Sequence, residues 1–331
     1  MTTTLPDQSK SIYRAFCEGA QDVPIFLQPW WLDADAGPDR WDVVVLLDNG
    51  RPIAALPYCR TRLRWFRGIG MPPVAPYMGC HIRFPEAGQK RASRIAWEQQ
   101  ALRALFEGLP ARSFFFQHFF PDHTNWTALY WMGYRQTTRY SYVIDDLSNL
   151  EAVFAGFENR ARTAIRKAER DLTVSAVQHS GVLYELLDQT FGKQSLPNPY
   201  PADRLAAVTG RCLERDVGRL YVVRDEAGRA HAAAFVVWDR GKAYWTVQAA
   251  DPGRLSAGGP ALMVWHAIRE AAAAGIGSFD FTGSVMPNVE RFLRQFGGRP
   301  VPRHYIAREE HPLLHWLMRW KEARESRRTG R

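Results

Sequence analysis

The sequence predicts an α/β fold built twice, as two tandem units that are each a mixed, mainly antiparallel sheet flanked by helices. Three observations carry that expectation. The chain has 331 residues, 46% of them apolar and 13% aromatic, which is enough for two cores. Two β-rich runs each meet a turn and return as an alanine-rich strand: "VVVLLDNGRPIAALPY" (43–58) and "YVVRDEAGRAHAAAFVV" (221–237), both containing G-R-x-x-A-A. After each run, in the same order, come a helix with one tryptophan near its start, a strand reading S-F-x-F and then G-x-R-x-x-x-R. These echoes occupy 94–116 and 133–140 in the first half, and 263–281 and 297–304 in the second. Ordered echoes of this kind mark one unit present twice.

The elements follow from local signals. Asp48-Asn49-Gly50 and Asp225 to Gly228 are hairpin turns. In the second unit a strand at 242–250 follows the tight Asp239-Arg240-Gly241 turn. The next helix has Pro260 just inside its start, an inward stripe of Leu262, Trp265, Ile268 and Ala272, and Gly275 as its stop. "NRARTAIRKAER" (159–170) reads as a helix with Ala161, Ile165 and Ala168 inward and Arg162, Arg166 and Arg170 on one outer face. The units are bounded at 1–148 and 149–310, each closing with its own strand pair. A basic amphipathic helix and tail at 311–331 is expected either to dock on the domain or to contact a membrane or a protein partner.

The charge of +9 favours anionic partners without naming a reaction. No window approaches the apolar length of a membrane span, and the first twenty residues lack a leader pattern, so the expected compartment is the cytoplasm. Cys17, Cys59, Cys80 and Cys212 lie far apart with no metal spacing, so neither zinc nor a disulfide framework is expected.

The chemistry concentrates in the second half. Asp280 stands in the apolar strand of "FDFTGSVMPNVERFLRQFGG" (279–298), where a carboxylate costs several kcal/mol unless it is compensated. Its structural reading is a cap on the Thr282-Gly283-Ser284 loop or a pair with Arg291 or Arg294. Its functional reading is a group that orients or deprotonates an attacking amine. A strand, a small-residue loop and a helix start at 254–260 make an anion site, because unsatisfied amides and the helix dipole point there. The first half has Phe115 at the position of Asp280 and "FPEAGQKRAS" at the position of "RLSAGGPA", so the second half is the one expected to keep the chemistry.

"RLSAGG" (254–259) is similar to the R/Q-x-x-G-x-G/A pyrophosphate loop of GNAT acyltransferases, with Ala257 in place of the first glycine. Together with "ENRARTAIRKAERDLTV" (158–174) and "FDFTGS…NVERFLRQFGG", the chain resembles the Fem-type and BioF2-like branch, which is built of two tandem GNAT-like units. The resemblance implies N-acyl transfer from acyl-CoA or acetyl-CoA to a small-molecule amine, phosphorylated in some relatives, or aminoacyl transfer from aminoacyl-tRNA. It places the donor on Gln248, Arg254, Ala257, Gly258 and Gly259, and the chemistry on Asp280 and Tyr305. Arg162, Arg166, Tyr244, Ser284 and Arg294 are its candidates for acceptor contacts. Leu293 stands where Fem-type aminoacyl-tRNA users carry lysine, which weighs against tRNA as donor. A GNAT fold kept as a binding or scaffold protein is the reading outside enzymes.

Overall fold

The computed structural model describes residues 2–314 except 4, 5, 21, 85–89, 194 and 313. The expected C-terminal helix therefore lies almost wholly outside the described residues. No helix among the described residues is long and apolar enough to cross a membrane.

One continuous sheet crosses the molecule. Its strands run in the order Thr2–Thr3, Trp41–Asp48, Arg51–Leu63, Phe66–Gly70, Phe114–His118, Arg299–Glu309, Arg135–Ile144, Ser278–Asp280, Lys242–Ala250, Ala230–Asp239, Gly218–Asp225 and Leu172–Val177, with His81–Ile82 pairing Arg51–Leu63. The predicted hairpins and the strand at 242–250 are present. The helix Asn159–Asp171 buries Ala161, Ile165 and Ala168 as its spacing requires, and Gly259–Ala273 buries Leu262, Trp265 and Ile268.

The centre of the sheet departs from the expectation that each unit closes itself. Arg299–Glu309, from the second half, pairs antiparallel with Phe114–His118 of the first. Arg135–Ile144, from the first half, pairs antiparallel with Ser278–Asp280 of the second. The two closing strands pair with each other and place Arg303 opposite Arg139. Each half thus completes the other's sheet, and cutting the chain at 148 would leave both halves with an open edge.

These registers also correct the internal alignment. The pairs His118 with Tyr305 and Val143 with Asp280 make Phe116, rather than Phe115, the counterpart of Asp280. Phe115 faces the helix Arg91–Glu107, packing with Phe106, and its counterpart on that face is the buried Phe279. A one-residue slip in a strand exchanges the two faces, so the matching S-F-x-F letters misled by one position. On the same offset Arg139 and Arg303 are each other's counterparts, and an internal pseudo-twofold axis passes between them.

Two cores lie on one face of the sheet, one per half, under the helices Arg91–Glu107 and Gly259–Ala273. A third spans the other face, where Tyr13, Phe26, Trp31, Tyr77, Phe120, Tyr244 and Phe235 join both halves. Each large ring buried there contributes roughly 1.5–3 kcal/mol.

Candidate functional site

The strands Lys242–Ala250 and Ser278–Asp280 are parallel and paired only as far as Tyr244 opposite Asp280. Beyond that point they part, with the Thr282 hydroxyl donating to the Trp245 carbonyl across the opening at 2.9 Å. A cavity of about 570 Å³ lies beyond the split, lined by Gln248, Ala249 and Ala250, the loop residues Leu255 and Gly258, and the helix start at Pro260, Ala261 and Met263. Val289, Phe292 and Gln295 close its far wall. The charged residues among its lining are Arg160 and Lys193, with no carboxylate.

The loop is shaped by a close approach. Gly258 has φ +83°, and a Cβ there would stand 2.6 Å from the Ala164 carbonyl oxygen, so a side chain is excluded both by conformation and by space. The helix Asn159–Asp171 is held against the loop, and the Lys167 ammonium donates to the Ser256 carbonyl at 3.4 Å. Amides at a 15-residue helix start, two cations and no acid make this an anion-receiving pocket with an apolar throat.

The predicted residues divide around it. Gln248 and Gly258 line the cavity, with Ala257 and Gly259 adjoining in the same loop. Arg254 is held by Asp251. Arg162 and Arg166 do not face the cavity: Arg162 bonds Asn159 and the Ala155 carbonyl, and Arg166 lies over the Phe154 ring. The face of that helix turned to the cavity carries Arg160 and Ala164, a signal present in the sequence as an i, i+4 pair offset from the arginine stripe. Arg294 is exposed and pairs with Glu290 at 3.8 Å, Ser284 accepts the Met286 amide at 3.1 Å, and Tyr244 is core, 5.0 Å from Phe26. Leu293 is buried, where a lysine would be a charge without water.

Asp280 is fully buried at the apex of the split. The Tyr77 hydroxyl reaches both its oxygens at 3.2 and 3.1 Å, Ser141 donates to it, and the Thr282 amide donates at 2.7 Å. Of its structural readings, the loop cap is present, whereas the arginine pair is replaced by two hydroxyls from the first half. Burial pushes its carboxyl up, opposed by these hydrogen bonds.

Across Tyr77 from Asp280 the candidate Tyr305 lies among three residues that sequence reasoning missed, Arg303, His118 and Arg139. The Arg303 guanidinium sits over the Tyr77 ring at 5.2 Å, is 7% exposed, and has Nε and Nη1 buried without a partner. His118 Nδ1 is likewise buried and unpartnered, and its imidazole is pushed down to about 3 by burial and by Arg303 and Arg139. Tyr305 packs between them, 4.9 Å from the His118 ring and 4.6 Å from the Arg139 guanidinium. Two guanidiniums and a neutral imidazole around vacant donor sites suit a small oxyanion. The repeat G-x-R-x-x-x-R was the available signal, but only the strand exchange brings its two copies together.

Residues 155–288 match the family described as "Acetyltransferase (GNAT) domain". No curated protein matches the chain significantly. Among solved structures, that of FemX aligns over 96% of this chain and 99% of its own, at TM-score 0.65 and 12% identity. The C-terminal domain of a putative lysylphosphatidylglycerol synthetase from Agrobacterium fabrum aligns over 94% and 93%, at TM-score 0.53 and 15% identity. A conserved protein of unknown function from Bacteroides thetaiotaomicron VPI-5482 aligns over 92% and 97%, at TM-score 0.52 and 11% identity.

Proposed function

We propose that this chain, whose residues 155–288 match the GNAT acetyltransferase domain, is an acyltransferase that transfers an acyl group from acyl-CoA to the amine of a small anionic acceptor. The observation that carries this reading is the cavity at the start of helix Gly259–Ala273, with Arg160 and Lys193 in its lining and no carboxylate. A pyrophosphate is attracted to that surface, whereas the free ammonium of an aminoacyl ester would meet two like charges without a partner. The apolar throat of Ala249, Met263 and Phe292 suits a pantetheine arm and the acyl chain.

In this reading the acceptor nitrogen bonds to the acyl carbon at the split, the carbon–sulfur bond breaks, the nitrogen loses one proton and the sulfur gains one. Asp280 acts through Tyr77, whose hydroxyl it holds, and the anionic group of the acceptor sits on Arg303 and Arg139. Tyr305, beside both, is the candidate proton donor.

Calorimetric titration with CoA and acetyl-CoA tests the donor, with micromolar affinity expected. Arg160→Glu is expected to weaken it by roughly tenfold or more, while Arg162→Glu leaves it nearly unchanged. Salt-sensitive binding of charged tRNA without CoA binding would reverse the choice of donor. For the acceptor, Arg303→Met is expected to raise KM for a carboxylate- or phosphate-bearing amine and to spare neutral amines.

A further inference from the structure

The hairpin between Arg51–Leu63 and Phe66–Gly70 breaks three local rules at once. Its turn residue Arg64 has φ +54°, a conformation that glycine or asparagine adopts at lower cost. Arg62 stands directly opposite Arg67, a like-charge cross-strand pair. Trp65 at the tip is 84% exposed and Leu63 beside it 47%. Stability explains none of these choices, and residues that break local rules without a stabilising return mark function.

Beneath the tip lies a cavity of about 640 Å³ whose lining includes Arg40, Arg60, Arg62, Arg67 and Arg112, with Asp39 its one acid. Arg60 pairs with Asp42 at 2.7 Å and Arg112 with Glu310 at 2.9 Å. Among the described residues, Arg62, Arg64 and Arg67 have no carboxylate partner. A projecting tip of tryptophan and leucine, ringed by uncompensated arginines over a basic hollow, matches a bilayer interface: apolar groups enter the acyl boundary and guanidiniums meet headgroup phosphates. An RNA surface would offer aromatic faces along a groove for stacking, and the aliphatic Leu63 stacks on no base.

We propose that the first half docks on a bilayer carrying anionic lipid, with Leu63 and Trp65 inserted and Arg62, Arg64 and Arg67 on the lipid phosphates. The site is separate from the donor cavity and stands whether or not CoA is the donor. The test is co-sedimentation of the full chain with vesicles of phosphatidylcholine alone or with roughly one-third phosphatidylglycerol. Binding at least about tenfold stronger to the anionic vesicles is expected, falling by about tenfold in Trp65→Ser and in the double variant Arg62→Gln, Arg67→Gln. Because the altered side chains are exposed, thermal unfolding of both variants should match the parent. Equal affinity for the two vesicle types, no sedimentation, or variants that bind like the parent would overturn the proposal. So would tRNA binding that the same variants abolish while vesicle binding is absent.

Discussion

Among the described residues each half buries one carboxylate completely, and the two are held in different ways. Asp35, in the first half, accepts the backbone amides of Val74 and Ala75 at 2.9 and 2.8 Å and the Trp31 indole at 3.1 Å. Asp280, in the second, accepts the Tyr77 and Ser141 hydroxyls and its own loop amide. Together they grip the segment 74–77 from both ends. Asp35 fixes its backbone, and Asp280 fixes the ring on which Arg303 rests. The pseudo-twofold counterpart of Asp280 is the half-buried Phe116, which packs near Tyr305. The difference teaches that the seam is symmetric in its backbone and asymmetric in its chemistry: one side was kept apolar and the other was given a polar chain leading to two arginines.

Substituting across that symmetry gives the largest expected effect. Asp280→Leu strands buried donors on Tyr77, Ser141 and Thr282 and should cost about 3–5 kcal/mol by denaturant unfolding. Phe116→Leu, at the matching position, should cost about 1 kcal/mol. Equal losses would break the comparison.

Burial pushes both carboxylates up, and for Asp35 the consequence is a pH dependence of stability. Asp35 is pushed up to about 6 by burial, against backbone hydrogen bonds that act to lower it. Its folded-state pKa lies above the unfolded value, so its favourable contribution is complete below about 4 and is lost as pH rises through about 6, a change of at most about 3 kcal/mol. Measured between these limits, the stability of Asp35→Asn relative to the parent should therefore improve as pH rises. A difference independent of pH would mean that Asp35 titrates like an exposed acid.

The helix starts supply the finest contrast. The first half begins Arg91–Glu107 from Lys90 in an ordinary extended conformation, whereas the second begins from Gly258 at positive φ against the Ala164 carbonyl. Gly258→Ala should cost about 1–3 kcal/mol and weaken CoA binding, while Lys90→Ala should change stability by less than about 0.5 kcal/mol. Retained CoA affinity in Gly258→Ala would uncouple the loop geometry from donor binding.

Much of this arrangement is legible in the sequence, because it rests on local physics. Turn residues at 48–50 and 225–228, helical spacing at 159–170, and proline and glycine bounding the helix at 259–273 set the elements. Their repetition sets the two-unit plan. The need to compensate Asp280 was also readable, since a carboxylate in an apolar strand demands partners wherever it lies. Which partners it finds was not readable: Ser141, 139 residues away, arrives on an exchanged strand, and Tyr77, 203 residues away, arrives in the segment that Asp35 holds. The same exchange turns two separate G-x-R motifs into the facing pair Arg139 and Arg303, and moves the counterpart of Asp280 by one residue. It likewise took packing to show that the Arg162 stripe faces away from the cavity at the start of helix Gly259–Ala273 and that Arg160 faces it. Local sequence determines conformation and face period, whereas strand order and register depend on long-range pairing, and the tertiary structure alone decided them.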